Sequence, residues 1–424
     1  MQASASLSTW LEYLQQLHPH TIELGLERIK PLAKELGLIH FPCPVITVAG
    51  TNGKGSVVRL LESIYRQAGY QTAIYTSPHL IRFTERLRIN DKELDEKEWA
   101  RAFEVIEQAR GETSLTFFEF TTLAALWLCS SFPVEVIILE VGMGGRLDAV
   151  NVVESDVAVI TSIGLDHQQW LGETREAIAR EKVGIVRSGK PVVCAEEDPP
   201  LSLLEEIDRK KSRAFYIHQD FFIQPLSPAL LRWEEKESNS ILTFPYPPFK
   251  LSNIAAALMV VHLLGARLPL SWSNISDSMS TVTLPGRQQK FEWERGISCW
   301  LDVAHNWEAV AYLAQNLQKE AVLGKTVAVF TVLEDKNLEE ILRVISSSVQ
   351  LWYVPELAVE RARPATEVVK VIRARYTKHC YNFPSVEQAF KQAVARCEPE
   401  DRLLVFGSFY VVGEVMKFLP VEIL

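Results

Sequence analysis

One glycine-rich segment near the amino terminus constrains the fold more than any other feature. Residues 45–69 read VITVAGTNGKGSVVRLLESIYRQAG, which is a β-branched run, a glycine-rich turn with one lysine, and an apolar pattern with helical spacing. Glycines let the backbone approach a ligand closely, and a helix that begins at such a turn directs N–H groups toward an anion. The alternative is an ordinary strand-to-helix turn. The context predicts a phosphate-binding loop with these nucleotide contacts: Thr51, Asn52, Gly53, Lys54, Gly55 and Ser56.

The residue after the lysine differs from the commonest phosphate loop, in which a serine or threonine at that position binds magnesium. Gly55 stands there instead. We therefore expect the metal ligands at the ends of other strands, because open α/β sheets bind ligands at the carboxyl ends of their strands. Ser77, Glu140 and His167 each follow a predicted strand, and their hydroxyl, carboxylate and imidazole groups together suit magnesium. Each of these residues alone is more often a helix cap or an ordinary loop residue.

Seven separated motifs occur in the order found in one ligase family. On these motifs the chain resembles the folylpolyglutamate synthases, including the bifunctional dihydrofolate synthase/folylpolyglutamate synthases, from about Trp10 to the carboxyl terminus. The resemblance implies an ATP-dependent ligase, related to the muramyl-peptide ligases, that adds L-glutamate to dihydropteroate and to folate (poly)glutamates and releases ADP and phosphate. The motifs are Gly50–Ser56, Ser77–His79, Leu139–Asn151, Leu165–Gln169, Arg180–Gly184, Pro285–Arg287 and Asp302–Asn306.

This chemistry agrees with the residues present. A carboxylate does not react with an amine at neutral pH, so it must first become an acyl phosphate by attacking the γ-phosphate of ATP. Phosphoryl transfer asks the protein mainly for positioning and for neutralisation of charge, which Lys54, magnesium and His167 are suited to supply. No covalent protein nucleophile is needed.

The resemblance assigns further roles to single residues. It implies an ATP contact at Asn253 and a second magnesium ion held by a carbamylated Lys182. By their side-chain chemistry, Asp302 is suited to bind a ribose hydroxyl of ATP, while Arg287 and the predicted catalytic residue His305 are suited to reach its phosphates. Only a neutral amine reacts with carbon dioxide, and burial favours the neutral form. The alternative for Lys182 is a solvated residue on a charged helix face.

A pair of adjacent aromatic residues, Phe117 and Phe118, is suited to stack on a flat heterocycle, although a buried aromatic pair at a helix start is the alternative. The carboxylate of Asp148 is suited to accept from pterin N–H groups. The residues from Arg146 to Ala149 favour a bifunctional enzyme over a purely polyglutamylating one. By resemblance, the dihydropteroate-binding residues are Thr21, Ile22, Glu23, Leu24, Thr116, Phe117, Phe118, Glu119, Leu147, Asp148 and Ala149.

The chain, at 424 residues, exceeds the size at which one hydrophobic core keeps growing. Alternating strand and helix patterns predict an α/β fold, with a phosphate-loop domain of mainly parallel sheet and a smaller Rossmann-like α/β carboxyl-terminal domain. We place the ATP- and pteroate-binding domain at 1–284, a linker at 285–295, and the second domain, which completes the nucleotide and glutamate site, at 296–424. Its predicted strands are near Cys299–Val303, Thr326–Val332, Leu351–Val354 and Leu403–Phe406.

Two positions depart from the family pattern. Trp307 replaces a proline after the DVAHN motif, and Asn337 replaces an aspartate in the expected DKD. Both departures concern the local geometry of a loop.

Composition excludes several classes of protein. A net charge of −9 argues against nucleic acid, and six cysteines without a CxxC pair indicate neither zinc nor a disulfide framework. No basic leader and no apolar run of about 18 residues is present, so we expect a cytoplasmic enzyme without a membrane partner. The resemblance implies ATP and two magnesium ions, and we expect a monomer. The alternatives are a folylpolyglutamate synthase alone, another acid–amino-acid ligase of the superfamily, a phosphate-loop kinase or switch, and a nucleotide-binding scaffold without chemistry. Dependence on glutamate separates a ligase from a switch.

Overall fold

A computed structural model describes residues 5–420, which divide into two compact units. The first unit contains residues 5–78 and 83–282, and the second contains residues 79–82 and 283–420. Each unit contains a mainly parallel sheet with helices, so the predicted α/β fold class is confirmed. Within residues 5–420, no helix is long and apolar enough to cross a membrane.

Eight strands form the sheet of the first unit. They are β1 (Val45–Ala49), β2 (Thr72–Tyr75), β3 (Leu87–Ile89), β4 (Lys92–Glu93), β5 (Val136–Glu140), β6 (Val157–Ile160), β7 (Val192–Cys194) and β8 (Ala214–Tyr216). Their spatial order is β4-β3-β2-β5-β1-β6-β7-β8, and only the β2–β3 and β3–β4 pairs are antiparallel. Every residue of β1, β2, β5, β6 and β7 is buried, as expected for parallel strands covered on both faces.

Among the described residues of the first unit, ten segments are α-helices. The most apolar of them are buried nearly all round, and the others present one apolar face to the sheet. They are α1 (Leu7–Gln16), α2 (Ile29–Glu35), α3 (Lys54–Gln67), α4 (Glu96–Arg110), α5 (Phe117–Ser131), α6 (Gln168–Leu171), α7 (Arg175–Lys182), α8 (Leu201–Arg209), α9 (Leu251–Leu264) and α10 (Trp272–Thr281).

A second, antiparallel sheet in the first unit is absent from the sequence predictions. It contains β9 (Phe221–Ser227), β10 (Leu230–Glu235) and β11 (Ser240–Pro245), in the order β11-β10-β9. Buried Trp233 and Phe244 alternate with more exposed neighbours along these strands. This period of two differs from the continuous apolar runs of the parallel strands, on which the prediction depended.

The second unit contains a six-stranded sheet in the order β12-β13-β17-β14-β15-β16, in which only the β12–β13 pair is antiparallel. Its strands are β12 (Gln289–Trp293), β13 (Ile297–Asp302), β14 (Thr326–Phe330), β15 (Leu351–Pro355), β16 (Cys380–Phe383) and β17 (Arg402–Phe406). Its helices are α11 (Trp307–Lys319), α12 (Leu338–Ile345), α13 (Ala365–Arg375), α14 (Val386–Arg396) and α15 (Phe409–Met416).

The four strands predicted for this unit are present with small shifts at their ends. Residues 289–293, which the sequence placed in a linker, form β12 and pair with β13. Both β12 and the unpredicted β16 lie at edges of the sheet, and their exposed residues weaken the apolar signal.

The segment 79–82 packs with the second unit, although the sequence placed it in the first domain. Leu80 and Ile81 join the apolar cluster of the second unit. A side chain at Gly413 would lie 2.1 Å from the Leu80 carbonyl oxygen, so this glycine is needed for the close approach.

Candidate active site

The loop between β1 and α3 is shaped by glycines that other groups approach closely. A side chain at Gly50 would place its Cβ 1.7 Å from Thr161 Oγ1, and one at Gly53 would place it 2.4 Å from Asn253 Oδ1. Gly53 also has a φ of 93°, in the left-handed region. Lys54 is the first residue of α3, and its Nζ lies 3.0 Å from the Gly50 carbonyl oxygen. The loop therefore presents a lysine and a helix amino terminus, as an anion site requires.

Residues 161–167, which we call the β6 loop, brace the phosphate loop. Thr51 N donates to Ser162 O at 2.8 Å, and Asn52 N donates to Ser162 Oγ at 2.9 Å. Thr161 Oγ1 donates to Asn52 O at 2.7 Å. The N–H groups of Thr51 and Asn52 are therefore used within the protein. Sequence reasoning missed Thr161 and Ser162, for which a hydroxyl pair directly after an apolar strand is the signal.

Two predicted metal ligands meet at the carboxyl edge of the first sheet. Glu140 ends β5 and is 7% exposed, and Ser77 N donates to Glu140 Oε2 at 3.3 Å. Parallel pairing places Val48 of β1 opposite Glu140, so the carboxylate lies beside the strand that leads into the phosphate loop. His167 follows β6, which lies on the other side of β1. The backbone N–H of His167 donates to Asp166 Oδ1 at 2.8 Å.

Lys182 is the last residue of α7 and is 4% exposed, which excludes the solvated-surface alternative. The glycine-rich loop after β5 packs directly against this end of the helix. A side chain at Gly145 would lie 2.8 Å from the carbonyl oxygens of Glu181 and Lys182, and Arg146 N donates to Glu181 O at 2.7 Å. Arg146 and Glu181 also form an ion pair with an N–O distance of 2.7 Å.

The aromatic pair lies at the start of α5. Phe118 stacks on Tyr75 with ring centroids 6.3 Å apart, and a side chain at Gly142 would lie 2.6 Å from the Phe118 ring. Both Phe117 and Phe118 are half-buried, so part of each ring remains accessible. The Glu119 carboxylate is buried and accepts from Thr116 N at 2.8 Å in a capping box.

Arg28 connects the amino-terminal segment to α5, because its guanidinium group pairs with both Glu119 and Glu23. Gly25 N donates to Leu147 O at 3.2 Å, which ties the same segment to the loop after β5. Within the predicted stretch 21–24, which has no regular structure, Thr21 and Glu23 are exposed, while Ile22 and Leu24 are half-buried.

Asp148 is 2% exposed, and both of its carboxylate oxygens accept from the backbone. Met143 N donates to Oδ2 at 2.8 Å and Val150 N donates to Oδ1 at 3.0 Å. Burial raises the pKa of Asp148 from 3.8 to about 6. Asp148 thus caps the 3₁₀ turn Ala149–Val152 and holds the loop after β5 in shape.

A second group of predicted site residues meets at the end of β13 in the second unit. Asp302 is buried and accepts from Gln288 N at 3.0 Å and Ala304 N at 2.8 Å. Burial raises the pKa of Asp302, although the charge of Arg287 opposes this. The Arg287 guanidinium lies 5.0 Å from the centroid of the Phe409 ring.

His305 belongs to the same group. Its Nδ1 lies 2.8 Å from Val303 O, and because a carbonyl oxygen only accepts, this nitrogen carries a hydrogen. Its ring centroid lies 6.0 Å from that of Phe409, a residue that sequence reasoning missed. The signal for Phe409 is the Gly407-Ser408-Phe409 sequence directly after β17.

Both departures from the family motifs occur at capped helix starts. Trp307 begins α11 and is half exposed, and the preceding Asn306 accepts from Ala309 N at 3.0 Å. Asn337 caps α12 by accepting from Glu340 N at 3.3 Å. An asparagine caps a helix about as well as an aspartate, so the second departure preserves the local geometry.

Two protein-family profiles match this chain. "Mur ligase middle domain" matches residues 48–261, and "Mur ligase, glutamate ligase domain" matches residues 286–409. The dihydrofolate synthase/folylpolyglutamate synthase of Escherichia coli (strain K12) is 40% identical over 423 residues, which cover 99% of this chain and 96% of that protein. The chain belongs to the dihydrofolate synthase/folylpolyglutamate synthase family.

Solved structures in the dihydrofolate synthase/folylpolyglutamate synthase family share the fold. E. coli FolC in complex with DHPP and ADP is 40% identical with a TM-score of 0.93, covering 99% of this chain and 98% of that chain. The bifunctional enzyme from Yersinia pestis c092, complexed with AMPPNP and Mn ion, is 41% identical with a TM-score of 0.91, covering 99% of each chain. As a member of this family, the chain is an ATP-dependent, amide-forming ligase that adds glutamate to folates.

Proposed function

We propose that this chain adds L-glutamate both to dihydropteroate and to reduced folate (poly)glutamates. The observation that carries this proposal is the Phe118 ring, which lies half-buried between Tyr75 and Gly142, close to the strand end that bears Glu140. A flat, partly accessible ring beside the phosphate-loop edge offers a surface for a pterin. E. coli FolC, which is similar over nearly the whole chain, was solved with DHPP.

The reaction proceeds in two steps that need positioned charge. The substrate carboxylate attacks the γ-phosphorus of ATP, the bond to the β–γ bridging oxygen breaks, and ADP leaves. The glutamate amine then attacks the acyl carbon of the acyl phosphate, loses a proton, and phosphate leaves. Lys54 and the N–H groups at the start of α3 hold the phosphates and stabilise the charge that develops on them.

The residues at the carboxyl edge suit two divalent ions. Ser77, Glu140, His167 and a carbamylated Lys182 would hold them, because a buried carboxylate and a hydroxyl are ligands that magnesium prefers. When bound, such ions neutralise phosphate charge during transfer. Glu140 and the Ser77 backbone lie within hydrogen-bond distance of each other, which supports a shared role.

Carbamylation of Lys182 joins the neutral amine to carbon dioxide and releases a proton. The burial of this side chain supports the proposal, because desolvation favours the neutral amine. Enzyme equilibrated with ¹³C-bicarbonate should show a carbamate carbon signal by NMR, and the Lys182→Arg variant should lack it. A wild-type spectrum without the signal would contradict the carbamate.

The group at the end of β13 is proposed to contact the nucleotide. Asp302 is suited to a ribose hydroxyl, and Arg287 is suited to phosphate. His305 would donate from Nε2 to a phosphate oxygen when both of its ring nitrogens carry a hydrogen. Asn253 is proposed as a further contact because its amide lies against Gly53. A cytoplasmic location and a monomeric state remain predictions. Sedimentation velocity tests the monomeric state.

Release of ADP with dihydropteroate or tetrahydrofolate, each with and without L-glutamate, tests the function. We expect glutamate-dependent release with both acceptors. Release with tetrahydrofolate alone would reduce the protein to a folylpolyglutamate synthase. Release with neither acceptor would indicate a different acid–amino-acid ligase, and ATP hydrolysis without glutamate would indicate a switch.

A further inference from the structure

The β6 loop is held on two sides. On the inner side it bonds the phosphate loop, where Thr51 Oγ1 donates to Gly164 O at 3.1 Å and accepts from Gly164 N at 3.0 Å. On the outer side, both polar groups of the Ile163 backbone are bound by charged side chains. Ile163 N donates to Glu196 Oε2 at 2.6 Å, and Arg175 Nε donates to Ile163 O at 2.9 Å.

These two side chains also pair with each other. Arg175 Nη2 lies 3.2 Å from Glu196 Oε1, so the pair and the Ile163 backbone form a closed ring of hydrogen bonds. Asp198 extends the ring by accepting from Arg175 Nη1 at 2.9 Å, while its own N–H donates to Glu196 Oε1 at 3.1 Å. We call Arg175 and Glu196 the Ile163 clamp. The Glu196 side chain is 13% exposed, so this acid is held in a largely desolvated place.

The clamp joins the elements that carry the candidate catalytic groups. Arg175 is the first residue of α7, the helix that ends at Lys182. Glu196 follows β7, which pairs with β6 in the sheet. Ile163 lies between two residues that bond the phosphate loop, and four residues before His167. A shift of the Ile163 backbone would therefore move groups on both sides of the predicted site.

We propose that Arg175 and Glu196 are positioning residues of the ligase, which act through the Ile163 backbone to hold the β6 loop against the phosphate loop. The inference rests on the proposed roles of the phosphate loop and of His167. Outer partners of this kind fix the groups that hold metal and phosphate, and their loss commonly lowers affinity about ten- to a hundredfold. The clamp thus sets the affinity for the metal–nucleotide complex and leaves glutamate binding unchanged.

The test compares Arg175→Met and Glu196→Gln with wild type. We expect the KM for MgATP to rise about tenfold or more in Arg175→Met, with the KM for L-glutamate unchanged. Arg175→Lys should recover part of the loss, because lysine keeps the charge but lacks the planar fork. Glu196→Gln keeps an acceptor for Ile163 N–H and should lose less than Arg175→Met.

Arg110→Met is the matched control. Like Arg175, Arg110 bonds a carboxylate, Glu107, and a backbone oxygen, Thr113 O at 3.0 Å, but it lies on α4 and is more deeply buried than Arg175. Its loss should lower the melting temperature without changing the KM for MgATP. A purely structural role for Arg175 would give this same pattern and would overturn the proposal.

A double variant and a binding measurement complete the test. Arg175→Met combined with Glu196→Gln should lose less than the sum of the single losses, because both side chains act through one backbone group. Full additivity would contradict the clamp. Calorimetry with AMPPNP and Mn²⁺ measures the affinity for the metal–nucleotide complex without any reaction taking place. This affinity should be lower in Arg175→Met than in wild type. An absence of glutamate-dependent ADP release by wild type would therefore overturn the proposed function separately.

Discussion

The carboxyl edges of the two parallel sheets carry different kinds of group. At the edge of the first sheet, Lys54 lies in the glycine-rich loop after β1, Glu140 ends β5, and the buried Lys182 packs against the glycine-rich loop after β5. The edge of the second sheet gathers Arg287, Asp302 and His305 around the ring of Phe409. The first set suits charge neutralisation during phosphoryl transfer, whereas the second suits binding and orientation of a nucleotide.

The two edges nevertheless share one feature, a buried aspartate that holds a loop. Asp148 in the first unit and Asp302 in the second are both buried, and each carboxylate accepts from two backbone N–H groups of a loop. Burial raises the pKa of both carboxylates, and a nearby cation opposes this rise, Lys54 at Asp148 and Arg287 at Asp302. The sequence suggested ligand contacts at both positions, but the structure shows that each aspartate first shapes a loop. Differences in chemistry between the edges should therefore come from the other residues.

The largest expected effect is at Lys54. Lys54→Ala should lower kcat for glutamate-dependent ADP release about a hundred- to a thousandfold, as loss of a group that stabilises developing charge commonly does. The melting temperature should change little, because the side chain contributes charge rather than core packing. Lys319→Ala, at an exposed position on α11, is the control. Ligation by Lys54→Ala at the wild-type rate would remove the basis of the nucleotide assignment.

Asp148→Asn tests the shared loop device through pH. The folded chain holds a proton on Asp148 up to about pH 6, whereas the unfolded chain releases it near pH 3.8. Stability from this group is therefore complete below about pH 4 and falls as pH rises to about 6, by about 3 kcal/mol. Between pH 4 and pH 6, the free energy of unfolding of Asp148→Asn, measured with urea, should therefore rise relative to that of wild type by up to about 3 kcal/mol.

Asp156→Asn is the control for this pH dependence. Although burial raises the pKa of Asp156, hydrogen bonds from Val45 N, Lys190 and Arg267 lower it overall. Its contribution is present above about pH 4 and lost only at lower pH, so its difference from wild type should stay flat between pH 4 and 6. A flat difference for Asp148→Asn as well would show that Asp148 ionises normally in the folded chain.

The same Asp148 variant tests its place in substrate selection. We expect a larger loss of activity with dihydropteroate than with tetrahydrofolate, because the loop that Asp148 holds lies against Phe118. The ratio of kcat/KM for the two acceptors measures this. Equal losses would assign Asp148 to the catalytic machinery that both reactions share.

Glu140→Gln should weaken the binding of the metal ion at the edge of the first sheet. A neutral amide is a poor ligand for a hard cation, so half-maximal activity should need about tenfold more Mg²⁺. Glu135→Gln, an exposed acid just before the amino end of the same strand, is the matched control. An unchanged Mg²⁺ titration for Glu140→Gln would show that this carboxylate serves only the Ser77 N–H.

The smallest effect is expected at the second edge. Phe409→Leu removes the ring that Arg287 faces, and a contact of this kind contributes about 0.5–1 kcal/mol. The KM for ATP should therefore rise about two- to fivefold, with kcat unchanged. Phe383→Leu, which removes a ring stacked on Tyr353 without a cation, should leave the KM as it is. A large loss of kcat in Phe409→Leu would break the distinction between the two edges.

Local sequence patterns were sufficient for much of this structure. The continuous apolar runs of β1, β5 and β6 predicted buried parallel strands, and the residues around Lys54 predicted a turn from a strand into a helix. These features depend on neighbours along the chain, because burial on both faces of a sheet and helical periodicity are written in consecutive residues. The edge strand β12 and the antiparallel sheet β9–β11 escaped prediction because half-exposed strands carry a weaker pattern.

The sequence by itself determined the fold class, the glycine-rich loop between β1 and α3, and the family, because each is carried by ordered motifs of consecutive residues. Only the tertiary structure decided that Lys182 is buried against Gly145, that Asp148 and Asp302 hold loops, and that Arg175 and Glu196 grip Ile163. Residues 163, 175 and 196 are separated along the chain by more than a helix turn, and hydrogen bonds between such residues leave no local pattern. Packing brings them together because neighbouring parallel strands end at the same edge of the sheet.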